Sequence, residues 1–323
     1  MTPRIVLTCR WPEEVEVSLR NRFQVQTVSD STALSDELII QECNTFYPNV
    51  LATTSGDRIS ANTIRQLPNS VRLIANYGAG VDKIDLASAA ARNFCVSNTP
   101  DVVTECTADL TIGLIISSCR QFYRAESILR NSEWHGFELS DYFGTRVFGK
   151  ELGIVGLGRV GRAVAKRAYA FGMRISYYSR RRDLEFERQW DAKFAPTLDS
   201  LLSQAEVLTL HCPLTEESRY MIDEHALDKM KHGAILINTA RGALVKEKAL
   251  VDALLSKHIA AAGLDVYEME PVVHEKLREM EQVTLLPHIG TATRESRIEM
   301  GFRVIQNIES YFEYGHAYDA ILR

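Results

Sequence analysis

Short runs rich in β-branched residues alternate with helical patterns along almost the whole chain. RIVLT (4–8), FQVQTV (23–28), NVLATT (49–54), VRLIANY (71–77) and FCVSN (94–98) fill the first hundred residues, with helix-like stretches between them. Such alternation predicts parallel sheets, because parallel neighbours need a crossover long enough to hold a helix. The pattern then restarts with ELGIV (151–155), RISYY (174–178), EVLTL (206–210), AILIN (234–238), AAAGLDV (260–266) and VTLL (283–286). Those six candidates match the strand count of a complete dinucleotide-binding sheet. Between the two series, residues from about Thr104 to Arg130 read as one long helix, apolar on one face and opened by Thr/Asp-type capping residues. The closing stretch, about 292–316, is amphipathic and has room to pack back on the first series. The expectation is an α/β chain of two domains, the first of them discontinuous.

Composition removes several function classes. With 323 residues, 46% of them hydrophobic, the chain can bury two cores. A net charge of -5 and a pI near 6.0 give no electrostatic footprint for nucleic acid or an anionic membrane, so neither is an expected partner. The N-terminal apolar run IVL is too short for a secretory signal, and the uncharged stretch LTIGLIISSC (110–119) is about half of a bilayer span, which makes it a buried helix. A cytoplasmic protein is expected. Six scattered cysteines without a C-x-x-C pair support neither a disulfide framework nor zinc, and the adjacent His211 and Cys212 have no further cluster to complete a metal site. No metal is expected.

The first chemical motif is Gly156-Leu157-Gly158-Arg159-Val160-Gly161, placed directly after ELGIV and opening the helical stretch RVGRAVAKRAYAFG. The first glycine permits a tight turn, the second lets a pyrophosphate approach the backbone, and the third lets helix and strand pack closely. A lone G-x-G-x-x-G is weak, but here the flanking strand, helix and second strand are all in place. In such a unit the second strand ordinarily ends in an acid that binds the ribose hydroxyls of NAD. Here the position holds Ser179, followed by Arg180 and Arg181. Two guanidiniums and a hydroxyl suit the 2′-phosphate of NADP. NADP(H) is therefore the preferred cofactor and NAD(H) a possible one; the plain alternative is a solvated turn paired with Asp183, Glu185 and Glu187.

The second constellation comes from the last three strands. AILIN leads to Arg241, AAAGLDV to Glu270 and VTLL to His288. Ligands of open parallel sheets bind outside the carboxyl ends of the strands, so these three residues are positioned to converge on one crevice. Each alone has a bland explanation, as a surface ion pair, a solvated carboxylate or a packed imidazole. Together, three complementary groups at three consecutive strand ends point to chemistry.

Seven stretches resemble one family: NYGAGVDKIDL (76–86), NTPDVVTECTADLTIGLI (98–115), GIVGLGRVG (153–161), HCPLT (211–215), INTARGALV (237–245), AAGLDVYEMEP (261–271) and LLPHIGTAT (285–293). They are similar to the D-2-hydroxyacid dehydrogenases, and within them to the glyoxylate/hydroxypyruvate reductase and 2-ketogluconate reductase branch. The resemblance implies two Rossmann-like domains. A central dinucleotide-binding domain (101–288) would be flanked by a discontinuous flavodoxin-like substrate domain (1–100 and 289–323), with a homodimer formed through the cofactor domains. It places the catalytic Arg, Glu and His on Arg241, Glu270 and His288. Ala79 and Gly80 would offer backbone N–H groups to the carboxylate of a small 2-oxo or 2-hydroxy acid, alongside Arg241 and His288. Thr104, Asp265 and His211-Cys212-Pro213 would line the nicotinamide side, and Thr239, Ala240 and Gly290 are counted with the cofactor-contacting positions.

The residue types fit reduction of a 2-oxo acid. Arg241 can fork onto a carboxylate and the adjoining carbonyl, His288 can deliver a proton near neutral pH, and Glu270 can hold and tune that imidazole. The related formate dehydrogenases carry Gln at the position of Glu270, and this chain keeps the acid. One departure from the branch is Trp134-His135-Gly136-Phe137, where relatives carry two tryptophans three apart. The loops around 46–56 and 134–143 would set substrate size. A reading from another class also exists, since the C-terminal-binding-protein co-repressors keep the three residues yet act as dinucleotide-sensing binding proteins.

Overall fold

The computed structural model describes residues 2–29, 34–137 and 143–322. The chain forms two compact units, Met1–Val103 with Thr291–Arg323 and Thr104–Gly290. Thr104 opens a helix of the second unit, which sets the first chain crossing slightly beyond residue 100.

In the first unit, β1 (Arg4–Leu7), β2 (Gln24–Thr27), β3 (Val50–Thr54), β4 (Leu73–Tyr77) and β5 (Cys95–Ser97) form a parallel sheet in the order β5-β4-β3-β1-β2. This is the doubly wound 2-1-3-4-5 order of flavodoxin-like folds. The period of two sends successive side chains to opposite faces. Ile5 and Leu7 pack with Val15, Leu19, Val304 and Ile308 on one face, while Val6 packs with Ile39, Leu51 and Ile74 on the other. Val304 and Ile308 belong to the helix Arg294–Tyr314, so the end of the chain supplies one wall of this core.

The second unit holds β6 (Glu151–Val155), β7 (Arg174–Tyr178), β8 (Lys193–Phe194), β9 (Val207–Leu210), β10 (Ala234–Asn238), β11 (Ile259–Leu264) and β12 (Val283–Leu285). Their order, β12-β11-β10-β9-β6-β7-β8, is wholly parallel and is the dinucleotide-binding order with a seventh strand added. Leu152, Ile154, Val207, Ile235 and Ile237 fill one face; Val155, Leu208, Leu210 and Leu236 fill the other. Each such fully buried aliphatic side chain contributes about 1.5–3 kcal/mol. The order reverses between β6 and β9, so a crevice opens at their carboxyl ends.

Two features differ from the sequence expectation. The single long helix is two, Thr104–Arg120 and Phe122–Arg130, broken at Gln121 with φ 52°. The cause is tertiary: the segment Gly144–Thr145 lies against the break, and the Cys119 carbonyl accepts from the Thr145 N–H at 2.6 Å. The edge strands β8 and β13 (Ala320–Leu322), the latter antiparallel to β5, were not expected, being too short to leave a pattern.

Candidate active site

At the end of β6, Gly156 takes φ 97°, and a methyl group there would lie 2.8 Å from the backbone of His211 and Cys212. A methyl on Gly161 would lie 2.2 Å from the Gly156 carbonyl oxygen. Both glycines are therefore required by backbone approach, as the motif predicts. Around a Cβ on Gly158 no atom lies within 4 Å, and this residue caps the helix Arg159–Ala170 without a side-chain bond. A bare backbone facing open space at a helix N-terminus fits a dinucleotide pyrophosphate. Leu157 is buried and Val160 packs on the core, so these two can serve a cofactor only through their backbone; Arg159 is exposed.

The Gly156 N–H donates to the Tyr178 carbonyl at 2.8 Å, which brings the end of β7 beside the glycine turn. Ser179 is half-buried, and Arg180 and Arg181 are exposed with no hydrogen bond or ion pair to a described residue. Arg182 behaves differently: it clamps Glu187 through Nε at 2.9 Å and Nη2 at 2.8 Å and lies over Phe194. Asp183 bonds Arg162 and caps the next helix through Phe186 N–H. The plain salt-bridged reading thus describes Arg182 alone.

The His211-Cys212-Pro213 segment follows β9 against the glycine turn. His211 is turned inward onto the Thr209 hydroxyl at 2.9 Å, and desolvation pushes its pKa down to about 3. Burial pushes the Cys212 thiol up to about 11, and its sulfur sits 3.6 Å from that of Met221. Both groups are neutral at pH 7. Pro213 is exposed. Thr104 Oγ1 is buried without a partner among the described residues, and the Thr239 hydroxyl meets that of Thr111 at 2.9 Å. Among the described residues no three His, Cys, Asp or Glu side chains gather as a metal site would need.

The last three strands are adjacent in the sheet and parallel, so Arg241, Glu270 and His288 leave the same edge. His288 Nδ1 lies 3.0 Å from Glu270 Oε2, and Glu270 Oε1 accepts the Tyr267 N–H at 3.2 Å. His288 has φ 54°, a left-handed conformation uncommon outside glycine. Fully buried Asp265 holds that turn, its two oxygens accepting the N–H groups of Ile289 at 2.7 Å and Gly290 at 2.8 Å. Desolvation raises the Asp265 pKa, and the Ile289 N–H opposes that shift. Arg241 extends from a turn fixed by Asn238, which donates to the Arg241 carbonyl at 2.9 Å and accepts the Ala240 N–H at 3.0 Å.

Ala79 and Gly80 lie in the first unit, beyond β4. Asn76 Nδ2 donates to the carbonyls of Gly78 at 3.0 Å and Gly80 at 2.8 Å, and Asn98 Nδ2 donates to Ala79 at 2.6 Å. In a trans peptide the N–H points opposite to the preceding carbonyl. The N–H groups of Ala79 and Gly80 therefore face away from the two asparagines, and neither has an acceptor among the described residues. Tyr267 escaped the sequence reading; its hydroxyl ties the end of β12 by donating to the Leu286 carbonyl at 2.8 Å. The signal was an aromatic with a polar tip just past a buried strand. Trp134 and Phe137 are exposed, at 55% and 86%, and residues 138–142 of that loop lie outside the described residues.

With this geometry in hand, the comparisons are specific. Residues 112–290 match the model of the D-isomer specific 2-hydroxyacid dehydrogenase, NAD binding domain. A glyoxylate reductase of Thermococcus onnurineus is 39% identical over 315 residues, covering 96% of this chain and 93% of that one. The solved structure of a glyoxylate reductase from Paecilomyes thermophila superposes with a TM-score of 0.88 at 35% identity, over 99% of this chain and 98% of that one. An NADPH-dependent glyoxylate/hydroxypyruvate reductase from Sinorhizobium meliloti, solved with NADP and malonate, gives a TM-score of 0.88 at 31% identity, over 99% and 97%. The chain belongs to the D-isomer-specific 2-hydroxyacid dehydrogenase family. It is an oxidoreductase acting on the CH–OH group of 2-hydroxy acids with a nicotinamide dinucleotide.

Proposed function

We propose that this chain is an NADPH-preferring reductase of small 2-oxo acids, glyoxylate or hydroxypyruvate, working in the cytosol. The names of its relatives support the substrate class, and the NADP-bound Sinorhizobium structure supports the cofactor. The observation that carries the chemistry is the His288–Glu270 pair at 3.0 Å, on the same sheet edge as Arg241. When bound along Gly156–Gly161, the reduced dinucleotide supplies the hydride. Glu270 accepts from Nδ1 of His288, which leaves Nε2 as the atom that gives its proton to the developing alkoxide. Arg241 binds the carboxylate and polarises the carbonyl, favouring the charge that builds there. Thr104, Asp265 and the His211-Cys212-Pro213 segment would flank the nicotinamide end, with His211 neutral so that it adds no positive charge there, and Thr239, Ala240 and Gly290 would be among the cofactor-contacting positions.

A homodimer through the cofactor unit belongs to the same proposal. The helix Phe122–Arg130 buries none of its residues, and Phe122, Tyr123 and Leu129 are exposed together with Trp134 on the following segment. Apolar surface of this extent favours an interface.

The deciding experiment is NADPH oxidation at 340 nm with each 2-oxo acid, for the wild type, His288→Ala and Arg241→Ala. Each substitution is expected to lower turnover by about 10²–10⁴-fold while NADPH affinity stays within about twofold. Near-normal turnover of the His288 variant would remove it as the proton donor.

A further inference from the structure

Just before Glu270, the backbone of Tyr267–Glu268 lies directly on Gly242, the residue after Arg241. A methyl group on Gly242 would sit 1.8 Å from the Tyr267 carbonyl carbon and 2.5 Å from the Glu268 nitrogen. The turn that carries Arg241 and the turn that carries Glu270 are therefore packed peptide on peptide.

Glu268 pins that contact from three directions. Its Oε1 accepts the Tyr220 hydroxyl at 2.7 Å, its Oε2 accepts the Glu247 N–H at 3.1 Å, and its own N–H donates to Glu247 Oε1 at 2.6 Å. Glu247 opens the helix Glu247–Leu255 and is 8% exposed. Tyr220 is held beside the Gly242–Leu244 turn, its N–H donating to the Ala243 carbonyl at 2.8 Å, while Ile222 N–H donates to Leu244 at 3.0 Å. Three loop segments, 220–222, 242–247 and 267–268, are thus joined through one exchange of hydrogen bonds.

The arrangement is costly for a simple helix cap. A buried carboxylate faces a second one, and burial, which dominates, together with the Glu268 charge raises the Glu247 pKa although the Glu268 N–H opposes it. A serine would satisfy a helix N-terminus without that repulsion. What the pair adds is a reciprocal lock between two chain segments, each holding the backbone of the other.

We propose that Glu268 is a positioning residue, locked reciprocally to Glu247 and fastened by Tyr220, which fixes the Arg241 turn and the Glu270 turn relative to each other. The role rests on the assignment of Arg241, Glu270 and His288 as the reacting side chains. Displacement of such groups by about 1 Å costs about 10²-fold in rate.

The test is Glu268→Ala beside Glu268→Gln and Tyr220→Phe in the full chain. With glyoxylate and NADPH, Glu268→Ala is expected to lower kcat about 10–100-fold with NADPH affinity within about twofold. Glu268→Gln, which keeps one acceptor, should recover most of the loss, and Tyr220→Phe combined with Glu268→Ala should cost no more than Glu268→Ala alone. Amide hydrogen exchange, read without substrate, should accelerate at least about tenfold in both 241–247 and 267–270. If Glu268→Ala fails to fold, Tyr220→Phe, which removes only an oxygen, must show the same pattern at smaller size. Exchange unchanged in either segment, or kcat within about twofold in a folded Glu268→Ala, overturns the proposal. A wild type that leaves every 2-oxo acid untouched would refute the proposed function, while the exchange arm would still decide the lock.

Discussion

The cofactor preference can be worked from the turn at 179–182. Of three successive arginines, Arg182 is committed to Glu187, while Arg180 and Arg181 have no hydrogen bond or ion pair with a described residue. A 2′-phosphate would therefore meet two guanidiniums without breaking an existing pair, and Ser179 adds a hydroxyl. Hydrogen bonds to charged groups are worth about 1.5–3 kcal/mol each, and exposure to water favours the lower end. Two such contacts at about 1.5 kcal/mol give about 3 kcal/mol, or about two decades in kcat/KM for NADPH over NADH. Glu217 works against this: its carboxyl is held below the ordinary range first by the Thr215 hydroxyl and, more weakly, by the Arg180 charge. The assay compares kcat/KM for both dinucleotides at rising salt, where the preference should shrink. Arg180→Ala with Arg181→Ala should remove most of it, and adding Ser179→Asp should reverse it while kcat at saturating cofactor stays similar. Equal kcat/KM for the two dinucleotides in the wild type would refute the reasoning.

Two further outcomes follow from the second unit. His211, with a pKa of about 3 in the fold, cannot take the proton that it would bind near pH 6.5 when unfolded, so it destabilises the fold increasingly as pH falls from about 6.5 towards 3. His211→Asn should therefore flatten the fall of the melting temperature across that window, and an unchanged slope would show that another group governs it. Light scattering should give a dimer mass for the wild type, and Phe122→Lys with Leu129→Lys should halve it; a monomeric wild type would exclude the proposed association.

The sequence by itself determined the architecture and the sheet edge that carries the candidate site. Period-two burial writes itself into runs such as ELGIV and AILIN, whose alternate residues must face opposite cores. Glycines carry a signal of equal strength, because Gly156 and Gly161 stand where any side chain would strike backbone. Arg241, Glu270 and His288 were legible for a related reason: each follows a buried strand, and parallel strands deliver their carboxyl ends to one side. The tertiary structure alone decided what depends on contact between distant segments. The helix break at Gln121 exists because Thr145 claims the Cys119 carbonyl, a bond that no local pattern records. The left-handed turn at His288 is held by Asp265, and the lock around Glu268 joins residues from three loops. Arg180, Arg181 and Arg182 are equivalent in the sequence, and the ion pair to Glu187, five residues further on, singles out Arg182. Local propensity and burial act over a few residues and leave a period, whereas a hydrogen bond across twenty or more residues leaves none.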